Sequence, residues 1–219
     1  MAASDAAAKV SGNRIASRWH VPREWGGELA FILGGGSSLN DIDVDSIRGR
    51  GRVIAVNNAY LKAPWADVLF WSDLRWWEWN WRDLHRFEGR YRVTRNPPPD
   101  TMGLDVLWLR GAGGGTFSTV PRKLGGHCSG AAAINMAYLF GARAVVLLGF
   151  DMRGGNWHDL HQVQSPAGHH ERKIIPAMNT IARQVSDIGF PVLNATPGTA
   201  LECFPVVKLD DILSGVVGI

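Results

Sequence analysis

Residues 31–39 read FILGGGSSL, a short apolar run that ends on three glycines and two serines. Such a run reads as a buried strand, and glycines directly after it let the backbone turn sharply. Phosphate oxygens can approach amide N–H groups in a turn that carries no side chains. Gly34, Gly35 and Gly36 would form that turn, and Ser37 and Ser38 would add hydroxyl donors or cap the next element. The segment predicts a nucleotide-binding α/β domain. It is not a P-loop, because GK[ST] is missing, and not G-x-G-x-x-G, because Leu39 stands where the third glycine belongs. An ordinary tight turn is the plain alternative.

The rest of the chain alternates in the same manner. Apolar runs at 29–33, 52–56, 67–71, 91–94, 104–109, 144–149 and 190–194 read as strands. Residues 129–140 and 171–188 read as long helices, 74–87 as a tryptophan-rich helix, and 38–47 and 209–214 as short helical pieces. Residues 110–126 form a glycine-rich loop. The run AVVLLG is continuously apolar, as in strands buried on both faces of a parallel sheet. Strands alternating with helices predict βαβ units, hence a single Rossmann-like three-layer α/β domain with a mostly parallel sheet over 25–219. Residues 1–24 read as a flexible arm.

Polar groups recur where strands end, the edge at which ligands lie in open α/β sheets. Asn57 and Asn58 follow one strand and can read a base or ribose, or make a turn. Asp73 follows another and can orient a hydroxyl or a metal ion, or cap the helix after it. Ser129 and Gly130 open the clearest helix, a second anion-friendly N-terminus. Asp151 follows AVVLLG, and Thr196 follows the last strand. Four of the seven histidines, His158, His161, His169 and His170, fall between Asp151 and the second long helix. Histidine titrates near neutrality and serves as general acid or base, so the cluster points to chemistry. His158 and His161 have a spacing that suits two metal ligands, but no third ligand completes a structural zinc site. Cys128 has no identifiable acid–base partner and reads as a small buried residue.

Composition narrows the classes. Two cysteines exclude a disulfide scaffold and point to a reducing compartment, so a cytoplasmic protein is expected. No apolar run has the length of a membrane span, and the first residues lack the apolar core of a leader. A net charge of +3 fits a phosphate-bearing ligand without indicating nucleic acid. Six of ten tryptophans lie between Trp65 and Trp81. Their spacing suits a helix packed on the sheet more than a stacking platform for a sugar or base, and a homo-oligomer built on this segment is compatible with it.

Taken in order, GGGSSL, AVNNAYL, ADVLFWSD, HCSGAAAINMAYLFGARAVVLLGFDM, the histidine loop and VLNATPGTAL resemble one Rossmann-like superfamily over roughly residues 29–213. It holds the bacterial CMP-sialic-acid-dependent sialyltransferases and the MptE-like hydroxymethylpterin pyrophosphokinases, and the chain looks most similar to its phage and prophage members. The resemblance implies that Gly34, Gly36, Ser38 and Asn57 bind CMP, that Ser129-Gly130 and Asp151 match family positions, and that His169 or His170 is the general base. Two departures stand out. The usual G-x-G-P-S turn is G-G-G-S-S, and the segment between Asp151 and His169 is shorter and contains HDLH. Three functions follow as expectations: a glycosyltransferase using a nucleotide-activated, CMP-sugar-like donor; an ATP-dependent pyrophosphokinase whose magnesium would sit on Asp73 and Asp151; or a non-catalytic phage accessory protein that keeps the fold.

Overall fold

The computed structural model describes residues 15–160 and 166–218, so His161 lies outside the described residues. Eight strands form one sheet, and every pairing in it is parallel. In chain order they are β1 (Ser17–Arg18), β2 (Leu29–Leu33), β3 (Arg52–Val56), β4 (Val68–Trp71), β5 (Tyr91–Thr94) and β6 (Leu107–Trp108), a separate two-stranded ladder of β7 (Arg110–Gly111) and β8 (Lys123–Leu124), then β9 (Ala144–Leu148) and β10 (Val192–Asn194). The spatial order is β1-β6-β5-β4-β3-β2-β9-β10. From β2 the chain winds outward through β3, β4 and β5. It then crosses back to lay β9 on the other side of β2. The switch point therefore falls between β2 and β9, and a crevice opens there at the carboxyl ends of the strands.

Alternate residues of each strand feed two cores. Ala30, Ile32, Ile54, Val56, Val145 and Leu147 face the long helices α2 (Ser129–Phe140) and α3 (Ile175–Asp187). Phe31, Leu33, Val53, Ala55, Val146 and Leu148 face the 3₁₀ turns after β2 and the tryptophan-rich segment. Burial on both faces explains why these strands read as unbroken apolar runs.

The tryptophan-rich segment is core. Trp71, Trp76 and Trp77 are buried, and their rings lie 5.3 and 5.7 Å apart. The expected helix over 74–87 stops early: α1 is Leu74–Asn80, followed by 3₁₀ turns to Arg86. Asn80 donates its amide to the Trp76 carbonyl at 2.7 Å, a local bond that competes with the helical ladder. The segment over 38–47 likewise forms two short 3₁₀ pieces rather than a helix.

The arm expectation fails for the part that is described. Ser17–Arg18 adds to the sheet beside β6, and Ala16 and Val21 are buried. A two-residue edge strand with exposed side chains carries no periodicity to find. Among the described residues no helix is long and apolar enough to cross a membrane.

Candidate functional site

A cleft of about 220 Å³ lies at the switch point, open to solvent. Its floor is the glycine turn after β2 and the Gly149-Phe150-Asp151 loop after β9. Asn57 and Asn58 border it from the end of β3, Cys128 to Gly130 from the start of α2, and His158, His169 and His170 from the segment before α3. Eleven expected positions thus converge from five places in the chain. Ser37, Ser38, Asp73 and Thr196 do not line it.

The glycine turn packs closely on the loop after β9. The Gly34 N–H donates to the Leu148 carbonyl at 2.7 Å and the Gly36 N–H to the Gly149 carbonyl at 2.8 Å. Ser38 donates its amide to Asp151 Oδ1 at 3.0 Å and its hydroxyl to Oδ2 at 2.8 Å. Three amides of the turn are therefore committed within the fold; Gly35, whose carbonyl accepts from the Trp157 amide at 3.1 Å, lines the cleft. The lack of side chains permits close contact between two loops. A Cβ on Gly34 would lie 2.5 Å from the Gly149 carbonyl oxygen, and one on Gly36 only 1.7 Å from Asp151 Oδ2.

Asp151 is 7% exposed, and each of its carboxylate oxygens accepts from Ser38. Asp73 is exposed; it caps α1 by accepting from the Arg75 amide and pairs with the Arg75 guanidinium, both at 3.0 Å. That guanidinium holds its carboxyl below the usual carboxylate range. The two aspartates expected to share magnesium thus have other partners and lie in different places, so these donors do not fit the ion. Among the described residues no three His, Cys, Asp or Glu side chains gather as a metal site.

The residues after β10 brace the β9 loop. Thr196, 1% exposed, accepts from the Phe150 amide at 2.9 Å, Thr199 donates to the Phe150 carbonyl at 2.7 Å, and the Ala200 amide donates to the Asp151 carbonyl at 2.8 Å. Thr196 therefore positions the cleft floor from behind.

Of the two asparagines, Asn58 is 2% exposed, and its Oδ1 accepts from the Trp76 indole N–H. Asn57 is half-buried and sits at φ 53°, in the left-handed region that asparagine tolerates better than most residues. Met152, across the cleft, is held at φ 56°. Backbone in this region gathers at ligand sites, where the surrounding fold enforces it.

Cys128 lies at the N-cap of α2, where its sulfur accepts from the Ala131 amide at 3.5 Å. Burial pushes its thiol up, away from the thiolate a nucleophile needs. His169 and His170 stand 6.3 Å apart, ring to ring. The chain makes one wide π-turn over His170–Ile174 before α3, and Pro176, which has no N–H to give the preceding turn, follows directly. Burial, then the neighbouring His170, Lys173 and Arg172, lower the His169 pKa.

Sequence reasoning missed Arg153 and Asn156. Both line the cleft; Asn156 bridges to Gly36, and Arg153 donates to the Gly198 carbonyl. The signal for Arg153 was its place two residues after the strand-end aspartate. A larger hollow, about 800 Å³, lies elsewhere, between residues 41–46 and 195–217. Asp41, Asp43, Asp210 and Asp211 line it, so it would repel a phosphate that the glycine-turn cleft can accept.

No protein-family model matches the chain, and no curated protein matches it in sequence. Solved structures match its fold. The MAf glycosyltransferase from Magnetospirillum magneticum AMB-1 superposes over 89% of this chain with a TM-score of 0.65 at 17% identity. This chain spans 36% of that protein, about a third of its length. The sialyltransferase CstII from Campylobacter jejuni, solved with cytidine-5′-monophosphate, superposes over 84% of this chain and 86% of its own, with a TM-score of 0.53 at 14% identity. The same sialyltransferase with a trisaccharide acceptor and CMP gives 0.50 at 11%, over 83% and 86%. The fold is a Rossmann-like α/β fold similar to that of these glycosyltransferases. The likeness bears out the expected α/β architecture, and at these identities it speaks for fold alone.

Proposed function

We propose that this protein is a nucleotide-sugar glycosyltransferase whose donor, a CMP-sugar or close relative, lies in the switch-point cleft. One observation carries the reading: His169 and His170 border the same cleft as Gly35, Asn57 and the start of α2. One sialyltransferase of similar fold carries CMP in two solved structures. In this reading the nucleotide lies along the glycine turn and Asn57, with its phosphate toward the first turn of α2, where the helix dipole favours negative charge. His169 is assigned as the base, since burial and the neighbouring charges favour its neutral ring. It accepts the proton of an acceptor hydroxyl, the hydroxyl oxygen attacks the anomeric carbon, and the bond from that carbon to the phosphate oxygen breaks. The nucleotide leaves with the bonding pair, its charge offset by α2 and Arg153. Positioning and charge stabilisation would supply most of the rate.

Calorimetry with CMP, UMP and ATP, with and without magnesium, tests the binding half. Selective binding of CMP without magnesium is expected, and ATP binding that requires magnesium would overturn the reading. Transfer from a CMP-sugar tests the chemistry: full activity in His169→Ala/His170→Ala would remove the base.

A further inference from the structure

A second concave site lies at the far end of the sheet. Arg18, Trp19 and His20 come from the edge strand β1 and its continuation, Arg110 from β7, and Arg122 and Lys123 from the approach to and first residue of β8. Together they line a hollow of about 420 Å³, within the usual range for a small-ligand site, and no acid lines it. The four arginine and lysine charges exceed the +3 of the entire chain, so the rest of the molecule is net −1.

Three features mark it as more than a solvated face. First, Arg110 and Lys123 are directly paired in the β7–β8 ladder, which sets two like charges side by side. Like charges opposite each other on a ladder destabilise it, so the fold carries a repulsion that a bound anion would relieve. Second, none of the four cations makes an ion pair among the described residues. Third, Arg18 is oriented: its guanidinium lies 5.1 Å from the ring centre of Trp108, its register partner on β6. A stacked guanidinium keeps its edge N–H donors free for oxygen acceptors.

We propose that this hollow binds a ligand with clustered phosphate groups, either a free oligophosphate or phosphates carried on a glycan chain. The charges occupy one compact hollow rather than a stripe, which suits a few adjacent phosphates better than a nucleic-acid backbone. The site opens on the same carboxyl edge of the sheet as the switch-point cleft. Five strand spacings, about 24 Å, separate β1 from β2. It is therefore distinct from that cleft, and its existence does not depend on what the cleft binds.

The test is calorimetry on the full chain with tripolyphosphate, phosphorylated dextran and a single-stranded oligonucleotide, at low and at physiological salt. Arg110→Gln/Arg122→Gln is compared with wild type and with Arg50→Gln, an exposed arginine elsewhere. We expect tripolyphosphate or phosphorylated dextran to bind wild type and Arg50→Gln equally and the double variant at least tenfold more weakly. The tighter of the two ligands identifies the source of the phosphates. CMP binding should be the same in all three proteins, which separates the two sites. Relief of the Arg110–Lys123 repulsion predicts that the double variant melts no lower than wild type at low salt; if it misfolds, Lys123→Gln serves in its place. Equal phosphate binding in wild type and the double variant would overturn the proposal. So would an oligonucleotide that binds tenfold tighter than both phosphate ligands and is lost on the same substitutions.

Discussion

Ser38 and Asp151 are 113 positions apart, and Ser38 places both its amide and its hydroxyl on the two oxygens of the Asp151 carboxylate, at 3.0 and 2.8 Å. The pair ties the loop after β2 to the loop after β9 across the switch point. Asp151 therefore closes the cleft floor. Asp151→Ala should cost roughly 2–4 kcal/mol, because two buried donors lose a charged acceptor. Asp151→Asn keeps one acceptor and should cost less. Urea denaturation of both variants measures this; an Asp151→Ala protein as stable as wild type would contradict it.

The glycine turn gives a graded prediction. Gly36→Ala places a methyl group 1.7 Å from Asp151 Oδ2, so it must break the Ser38–Asp151 tie or move a loop. Gly35→Ala meets only the Asn156 side chain, at 3.3 Å. The first variant should lose nucleotide binding and stability together. The second should stay as stable as wild type and weaken nucleotide affinity alone, since Gly35 lines the cleft. Melting temperature and calorimetry on the two proteins separate these effects.

The convergence of the cleft was legible because parallel strands place their ends along one edge, so a polar residue after each apolar run was already near its neighbours. What each residue does there was not legible. FILGGGSSL looks the same whether its amides face phosphate or face Leu148 and Gly149, and only the return of β9 beside β2 decides it. Asp73 was ambiguous for the same kind of reason: a strand-end aspartate and a helix cap have one sequence, DLR, and Arg75 settles the matter by pairing with it. The basic hollow was invisible in the sequence, because residues 18, 110, 122 and 123 meet only through an edge strand of two residues.

Asn57 and Asn58 should separate function from folding. Asn58 accepts from the buried Trp76 indole, so Asn58→Ala leaves that N–H without a partner at a cost of about 1–3 kcal/mol. Asn57 makes no such bond and holds a left-handed backbone beside the cleft. Asn57→Gly keeps that backbone accessible and removes the amide, so stability should change little while CMP affinity falls several-fold. Denaturation and calorimetry on the two variants would contradict the assignment if the effects were reversed.

The pH dependence of transfer should report His169. An unperturbed histidine titrates near about 6.5. Burial, His170, Lys173 and Arg172 all disfavour the protonated ring, so the His169 pKa lies lower. The base must be neutral to accept a proton. Activity should therefore rise with pH through a midpoint below the ordinary value and be full at neutrality. Stability carries the same sign: the unfolded chain protonates first as pH falls, so the His169 contribution is complete above the ordinary pKa and declines toward the lower folded one. Lys173→Glu replaces a neighbouring positive charge with a negative one and should move the kinetic midpoint upward without removing activity. A rate profile on wild type and Lys173→Glu reads both expectations. A midpoint that ignores the reversal of charge at 173 would take the base role away from His169.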